Sequence, residues 1–285
     1  MTRLFLGLPA PAKLNLFLHV VGRRPDGYHE LQSVMVPVDL ADLLDFERRD
    51  DGRIVRSGDL VGDPERDLAL RAARLLQQHS GTAFGANIHV QKRIPAGSGM
   101  GGGSSDAATT LIALNRLWAL NWPRPQLATL ALQLGADVPF FLGPGPALAE
   151  GIGERITPLS VPVRRYLVVF PRLAVSTAEI FSDPRLTRDT KPLIIDNLSG
   201  AMEDICRAAY GANDLQAVAC RRHPEIAHAL ALLAPLGPAR MTGSGSAVFA
   251  AAEDASAVQA VQSRLPPEWS CWLVRGLSEH PLAVW

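Results

Sequence analysis

One stretch of the chain, rich in glycine and serine, has the composition of a loop that holds phosphate groups. Glycine permits backbone angles that let several N–H groups point at one anion, and it leaves room for the ligand. We expect a helix to start near Ser104, and its unpaired N–H groups and positive dipole end would add to the site. The sequence therefore predicts that the phosphate groups of a ligand bind at Pro95, Ala96, Gly97, Ser98, Gly99, Met100, Gly101, Gly102, Gly103, Ser104 and Ser105. In this prediction Ser104 and Ser105 cap the helix, and one of their hydroxyls reaches a phosphate or its metal ion.

Three other interpretations compete for the same stretch. Its spacing Gly97-x-Gly99-x-x-Gly102 fits the dinucleotide fingerprint, but that fold needs a following strand that ends in an acidic residue. Here Asn121-Trp122-Pro123 and another predicted helix follow instead. The P-loop of ATPases needs a lysine after the glycines, and the sequence has none there. A flexible linker would not be bracketed so closely by a predicted strand and a strong helix.

A second candidate group lies on an alternating segment, Ala12 to Val21, which is typical of a strand with one face in the core. Leucine and valine occupy that face, and the opposite face carries Lys13, Asn15, Phe17 and His19. The pattern places Lys13 and Asn15 side by side. Taken alone, a lysine on a strand is most often an exposed edge residue, and an asparagine is most often a solvent contact.

Composition excludes several classes of protein. The chain has 285 residues, of which 47% are hydrophobic, so it can bury a substantial core. Basic and acidic residues number 28 each, which argues against non-specific nucleic-acid binding. We expect no transmembrane helix, no signal peptide and therefore a cytoplasmic protein. The three cysteines are expected to be reduced, and the histidines lack the spacing of a catalytic zinc site.

The order of predicted elements is that of an α+β protein. The first half is rich in strands, with extended segments near residues 33–40, 43–47 and 53–56 and a helix from Asp63 to Gly81. The second half predicts a split βαβ arrangement, in which Ser176 and Glu179 form a capping box at a helix start. Two prolines between residues 157 and 163 suggest a boundary, which predicts domains 1–158 and 159–285.

The glycine-rich stretch resembles the phosphate loop of the GHMP kinases, which include galactokinase and homoserine, mevalonate and phosphomevalonate kinases. Met100 stands where the family usually has leucine, which keeps an apolar side chain. The resemblance implies a two-domain GHMP kinase fold, with a ribosomal-protein-S5-like N-terminal domain, a ferredoxin-like C-terminal domain and a site between them. It also implies a small-molecule kinase that uses ATP as its Mg²⁺ complex.

Further segments narrow the resemblance: Ala12–Leu16, Arg24–Gln32, Leu134–Phe141 and Arg240–Gly245. They are similar to the GHMP kinases that phosphorylate the 2-hydroxyl of 4-diphosphocytidyl-2-C-methyl-D-erythritol in the non-mevalonate route to isopentenyl diphosphate. The resemblance therefore implies a cytidine diphosphate sugar-alcohol as the acceptor, with neither nucleic acid nor membrane as a partner.

Residue roles follow from this resemblance. It makes Asp137 the catalytic base, although an aspartate in a turn is more often a cap. It places Lys13 beside Asp137, where the cation would keep the carboxylate ionised and polarise the acceptor hydroxyl. Asn15 would hydrogen-bond the acceptor. No carboxylate is assigned to Mg²⁺.

The resemblance also implies a cytosine site. Tyr28 would stack on the base, His29 would hydrogen-bond its edge, and Phe181 would close the other side with Thr177 nearby. Thr177 and Phe181 are neighbours at i and i+4 on a predicted helix. Plain core packing remains an alternative for Phe181. The turn at residues 242–246 fits either a phosphate contact or a tight strand connection.

Two other functions compete. A related kinase could act on mevalonate or homoserine, but the Tyr28-His29 segment argues against it. A non-catalytic ligand sensor on the same fold is disfavoured because both Lys13 and Asp137 are present.

Overall fold

The N-terminal half of the chain forms a mixed six-stranded sheet. The fold is given by a computed structural model, which describes residues 3–285 apart from the side chains of residues 195–199. The strands follow the order β3-β4-β2-β5-β6, with β1 paired to β2. Only β3 and β4 pair in parallel among these described strands. Strands β1 to β6 span Leu4–Arg23, His29–Arg49, Ile54–Gly58, Gly85–Gln91, Ala147–Gly151 and Arg155–Pro158.

Three helices pack together against this sheet: α1 (Leu68–Ser80), α2 (Gly102–Leu117) and α3 (Arg124–Leu134). Helix α2 is the most enclosed, because its residues from Ser105 to Leu114 are all buried. Small residues such as Ala107 and Ala108 permit this close packing. The start of α2, which follows the glycine-rich stretch, is therefore held firmly in place.

The C-terminal half forms a four-stranded antiparallel sheet in the order β10-β7-β9-β8. These strands span Arg165–Phe170 (β7), Ala239–Met241 (β8), Val248–Ala251 (β9) and Ser270–Arg275 (β10). If the strands of this half are numbered 1 to 4 along the chain, their order in the sheet is 4-1-3-2, which is the order of a ferredoxin-like sheet. Helices α4 to α8 span Thr177–Ser182, Ile195–Cys206, Gln216–Arg222, Pro224–Leu233 and Ala255–Gln262. The predicted α+β class is confirmed.

The first two strands are much longer than predicted, and the face of β1 opposite the predicted core face is buried as well. The extended segments predicted at 33–40 and 43–47 belong to the single strand β2. Lys13 and Asn15 are only 2% and 3% exposed, because the face that carries them is covered by other parts of the fold. An irregularity in the β1–β2 pairing between Asn15 and Phe17 interrupts the simple alternation.

The predicted helix from Asp63 is also divided. Pro64–Arg66 form a short 3₁₀ turn, and α1 begins afterwards with Asp67 as its N-cap. The Asp67 carboxylate accepts a 2.9 Å hydrogen bond from the Leu70 N–H. The backbone of Asp67 is not helical, which explains the break. Gly81 ends α1 in the left-handed conformation, as predicted.

The two sheets are joined by the residues between β6 and β7. The predicted boundary between residues 158 and 159 lies at the end of β6, where this connection begins, and it stays a prediction. Buried side chains from β1 and from the second sheet share one core, which includes Leu14, Leu16, Tyr166 and Phe249. Within residues 3–285, no helix is long and apolar enough to cross a bilayer.

Arg240 on β8 ties the second sheet to β1. Its guanidinium donates to the backbone carbonyls of Leu16, Ala208 (2.9 Å), Tyr210 (3.1 Å) and Gly211 (2.7 Å). The side chain is 4% exposed, and burial lowers its pKa to about 10, so it stays charged near neutral pH. The bonds to Leu16 and Ala208 are buried, where a missing hydrogen-bond donor is costly.

Replacing this arginine should therefore be costly. Arg240→Ala is expected to lower the free energy of unfolding by about 3 kcal/mol or more, because four carbonyls lose this donor and the bonds to two of them, Leu16 and Ala208, are buried. Chemical denaturation measures the loss, with Arg221→Ala, an exposed arginine on α6, as the matched control. A loss below about 1 kcal/mol would contradict the bridging role.

Candidate active site

A cavity of about 410 Å³ lies where the two halves meet. Both halves contribute to its wall, which brings together residues far apart in the sequence. The wall includes the predicted site residues Lys13, Asn15, Ser104, Asp137, Thr177 and Phe181. The cavity is large enough for part of a small-molecule ligand.

A second cavity, of about 340 Å³, lies against the glycine-rich loop. Gly97, Gly99, Gly101 and Ser104 line both cavities. The loop is therefore a shared wall. A phosphate chain held on the loop could be in contact with ligands in both cavities.

The backbone of the loop requires glycine. Gly97, Gly99 and Gly101 have φ values of 69°, 78° and 75°, in the left-handed region. A Cβ atom on Gly99 would lie 2.3 Å from the Thr242 carbonyl oxygen. A residue with a side chain could not fit there without moving the loop or residue 242.

Helix α2 begins with glycine, so the prediction that Ser104 and Ser105 cap it is wrong. Gly101 is the N-cap, and the first helical bond runs from the Ser105 N–H to the Gly101 carbonyl (2.9 Å). The N–H groups of Gly102, Gly103 and Ser104 thus lack helical partners and can face an anion. The Ser105 hydroxyl is fully buried and finds no partner among the described residues, whereas Ser104 lines the cavities.

Lys13 and Asp137 face each other, with 3.7 Å between Nζ and Oδ2. The lysine side chain is buried, whereas that of Asp137 is 40% exposed. Burial lowers the pKa of Lys13, and the Asp137 charge partly offsets this. Within the described part of the chain, Asp137 is the only carboxylate that pairs with Lys13. The predicted pair is therefore brought together.

Asn15 holds the lysine in position. Its Oδ1 accepts hydrogen bonds from Lys13 Nζ and from the Thr242 hydroxyl, the latter at 3.3 Å. Its Nδ2 donates to the Ser33 hydroxyl (2.8 Å), which donates to the Phe17 carbonyl (2.6 Å). The predicted contact between Asn15 and the acceptor stays a prediction. Ser33 was missed because nothing in its local sequence marks it.

The turn at residues 242–246 packs directly on the glycine-rich loop. Ser246 N–H donates to the Gly97 carbonyl (3.3 Å), and Ala247 N–H donates to the Ser98 carbonyl (3.1 Å). Asn213 supports the turn by donating to the Gly243 carbonyl at 2.8 Å. The sequence left two roles open for this turn, a phosphate contact or a tight strand connection, and its glycine and serine content was a usable signal for the first.

Of the residues predicted to bind a base, Thr177 and Phe181 line the first cavity, whereas Tyr28 and His29 do not. His29 stacks on Phe181, with 4.9 Å between ring centroids and 28° between planes. Phe181 lines the cavity and also packs against the core of the C-terminal half, so the core packing is observed, while its contact with a base stays a prediction. Thr177 shares a 2.7 Å hydrogen bond with Ser244. Tyr28 is 61% exposed and is not part of the cavity wall.

A buried charge cluster supports the loop from the side of the second cavity. Lys92 Nζ donates to Asp42 (2.5 Å) and to Asp106 (2.7 Å). Asp42 also accepts from the N–H groups of Arg93 (2.5 Å) and Ile94 (2.8 Å), which fixes the approach to the loop. Burial raises the pKa of Asp106 to about 7, against the opposing effect of Lys92. No local pattern in the sequence marks this cluster, because its members come from separate elements.

Comparison with known proteins identifies the family. Residues 67–145 match the GHMP kinases N terminal domain, and residues 194–270 match the GHMP kinases C terminal domain. A relative from Ralstonia nicotianae, named 4-diphosphocytidyl-2-C-methyl-D-erythritol kinase, is 56% identical over 278 residues. That alignment covers 97% of this chain and 95% of the relative. The chain belongs to the 4-diphosphocytidyl-2-C-methyl-D-erythritol kinase family.

Solved structures agree with membership of this kinase family. A crystal structure of 4-(cytidine 5'-diphospho)-2C-methyl-D-erythritol kinase is 37% identical, with a TM-score of 0.79, and the match covers 95% of this chain and 99% of that one. A homoserine kinase from Cytophaga hutchinsonii gives a TM-score of 0.71 at 16% identity, covering 98% of this chain and 96% of the other. The latter shows a shared fold alone. The predicted GHMP kinase fold is confirmed.

The close contact between Gly99 and the Thr242 carbonyl allows a test of whether the loop binds ATP. Gly99→Ala is expected to weaken ATP binding at least about tenfold, because the new Cβ would displace the loop or the turn. Calorimetric titration with ATP measures the change. Gly81→Ala is the matched control, because Gly81 also has a positive φ (64°) but a Cβ added there would have no neighbouring atom within 4 Å. Unchanged ATP affinity in Gly99→Ala would contradict the predicted role.

Proposed function

We propose that this chain transfers the γ-phosphoryl group of ATP to the 2-hydroxyl of 4-diphosphocytidyl-2-C-methyl-D-erythritol. The products are the 2-phosphate and ADP, in the non-mevalonate route to isopentenyl diphosphate. The observation that carries the proposal is the Lys13–Asp137 pair, in a cavity whose wall contains both the glycine-rich loop and Phe181. Family membership supports the same reaction.

The glycine-rich loop would hold the triphosphate. The free N–H groups at the start of α2 and the positive end of the helix dipole favour the negative phosphates. The second cavity would take the nucleoside, and the shared loop wall would direct the γ-phosphate toward the first cavity. Positioning of this kind supplies most of the catalysis in phosphoryl transfer.

Asp137 would act as the general base. The acceptor oxygen forms a bond to the γ-phosphorus while the bond to the bridging oxygen of ADP breaks, and the hydroxyl proton moves to the Asp137 carboxylate. Lys13 would stabilise the negative charge that develops on the acceptor oxygen and would orient the carboxylate. Asn15 keeps the lysine in place for both tasks.

Magnesium would enter with ATP. Mg²⁺ keeps several waters and takes one or two protein ligands besides phosphate oxygens. Among the described residues there is no group of three or more His, Cys, Asp or Glu side chains suited to a metal. The Ser104 hydroxyl, on the wall of both cavities, fits the role of the protein ligand. The ion would neutralise phosphate charge.

The acceptor's cytosine would lie beside Phe181 and His29. Stacking on an aromatic ring contributes about 1–3 kcal/mol per base. The exposed ring of Tyr28 would cover the other face of the base, and Thr177 would lie nearby. We further propose that residues 1–158 bind ATP and carry out catalysis, that residues 159–285 bind the acceptor, and that the enzyme works in the cytoplasm.

An acceptor panel tests the proposal. Purified protein with ATP and Mg²⁺ is expected to phosphorylate the cytidine diphosphate acceptor and to leave mevalonate and homoserine unchanged, because neither has a base for Phe181 and His29. Release of ADP and the mass of the product measure turnover. Turnover of mevalonate or homoserine without turnover of the cytidine compound would overturn the acceptor assignment. No turnover of any acceptor would favour a ligand sensor.

Asp137→Asn tests the assigned base. We expect kcat to fall by about 10²- to 10⁴-fold, the usual contribution of general base catalysis, while ATP affinity stays close to the wild-type value. The exposed Asp50→Asn is an isosteric surface control. Equal losses in turnover and in ATP affinity would point to a structural role for Asp137 instead.

A further inference from the structure

Arg188, in the connection after α4, directs its guanidinium at neutral acceptors. Its Nε donates to His29 Nε2 (3.0 Å), and its Nη1 donates to the Leu186 carbonyl (3.0 Å). Its Nη2 donates to the carbonyls of Phe181 (2.9 Å) and Asp183 (2.8 Å). Among the ion pairs of the described residues, none includes Arg188. An arginine bonded in this way fixes geometry through its rigid fork of donors.

The contact with Arg188 determines which nitrogen of His29 carries the proton. Because Nε2 accepts a hydrogen bond from the guanidinium, it has no proton of its own. Burial and the charges of Arg188 and Arg23 lower the pKa of His29, which favours the neutral ring. A neutral imidazole with a free Nε2 lone pair carries its proton on Nδ1. His29 therefore offers a donor through Nδ1.

The same guanidinium also holds the ring that stacks on His29. It bonds the backbone carbonyl of Phe181, whose ring lies 4.9 Å from the imidazole. Phe181 is part of the wall that also includes Lys13 and Asp137. Arg188 thus fixes the His29 donor relative to the cavity in which the acceptor is proposed to bind.

The proton on Nδ1 has a consequence for base selection. Cytosine has a hydrogen-bond acceptor at ring position N3, whereas uracil has an N–H donor there. A histidine that can only donate would pair with the cytosine edge and would oppose the uracil N–H. A site that offers a fixed hydrogen-bonding group rejects ligands that leave that group unpaired.

We propose that Arg188 is a positioning residue that fixes His29 as a hydrogen-bond donor through Nδ1 and so makes the site select cytosine over uracil. This inference rests on the proposed function, because it concerns the base of the proposed acceptor. The competing explanation is that Arg188 only satisfies carbonyls at the end of α4. The two explanations differ in what they predict for specificity and for the histidine proton.

Kinetics separates the two explanations. Arg188→Ala and Arg188→Lys would be assayed with the cytidine diphosphate acceptor and with its uridine counterpart. We expect kcat/KM for the cytidine acceptor to fall about tenfold or more, mainly through KM, with a smaller change for the uridine compound. The cytidine preference would therefore fall. Equal losses for both acceptors would overturn the proposal.

Arg185→Ala is the matched control for these variants. Arg185 belongs to the same connection, but it pairs with Asp183 and not with His29. It should keep the wild-type preference for cytidine. Thermal melting checks that each variant is folded, and Arg188→Lys supplies the same readouts if Arg188→Ala does not fold.

Nitrogen NMR of ¹⁵N-labelled histidine tests the proton directly and needs no turnover. The wild-type signal of His29, assigned with His29→Gln, should be that of the Nδ1–H form, and Arg188→Ala should shift it toward Nε2–H. A wild-type Nε2–H form would overturn the proposal. If the wild type does not phosphorylate the cytidine acceptor, the proposed function fails. The role of Arg188 can still be decided in that case, by the NMR measurement together with calorimetric comparison of CDP and UDP binding.

Discussion

The candidate active site depends on the burial of Lys13 between two glycine-containing segments, the glycine-rich loop and the turn at residues 242–246. The Lys13 N–H donates to the Met100 carbonyl at 2.9 Å, which joins β1 to the glycine-rich loop. A Cβ on Gly101 would lie 3.2 Å from Lys13 Cγ, and one on Gly243 would lie 3.1 Å from Nζ. The ammonium group is thus shielded on both sides, and Asp137 provides the charge that compensates it.

This constraint explains why both halves of the chain are needed for one site. The lysine lies on a strand whose two faces are buried, one of them partly by the second sheet. The turn that carries Gly243 comes from the C-terminal half and hydrogen-bonds the loop of the N-terminal half. Arg240 bonds the β1 backbone at Leu16, close to Lys13 in sequence. Changes in how the two halves pack should therefore alter the contact between Lys13 and Asp137.

The sequence predicted the local features well, because their causes are local. Single residues determine these features: the glycines of the glycine-rich loop, Gly81 at the end of α1 and Ser176 at the start of α4. The lengths of β1 and β2 could not be predicted, since their burial depends on elements distant in the chain. The prediction that serines cap α2 was wrong, because Gly101 is the N-cap of that helix. Arg188 is 159 residues from His29, and no motif marks that pair.

The central claim is that Lys13 and Asp137 act as one unit in phosphoryl transfer. A double-mutant cycle with Lys13→Met, Asp137→Asn and the combined variant measures this most directly, through kcat at saturating ATP and acceptor. Residues that act as a unit give non-additive effects, so the combined variant should lose little more activity than the more damaged single variant. Losses that multiply, so that the combined variant is slower by the product of the two single factors, would contradict the account.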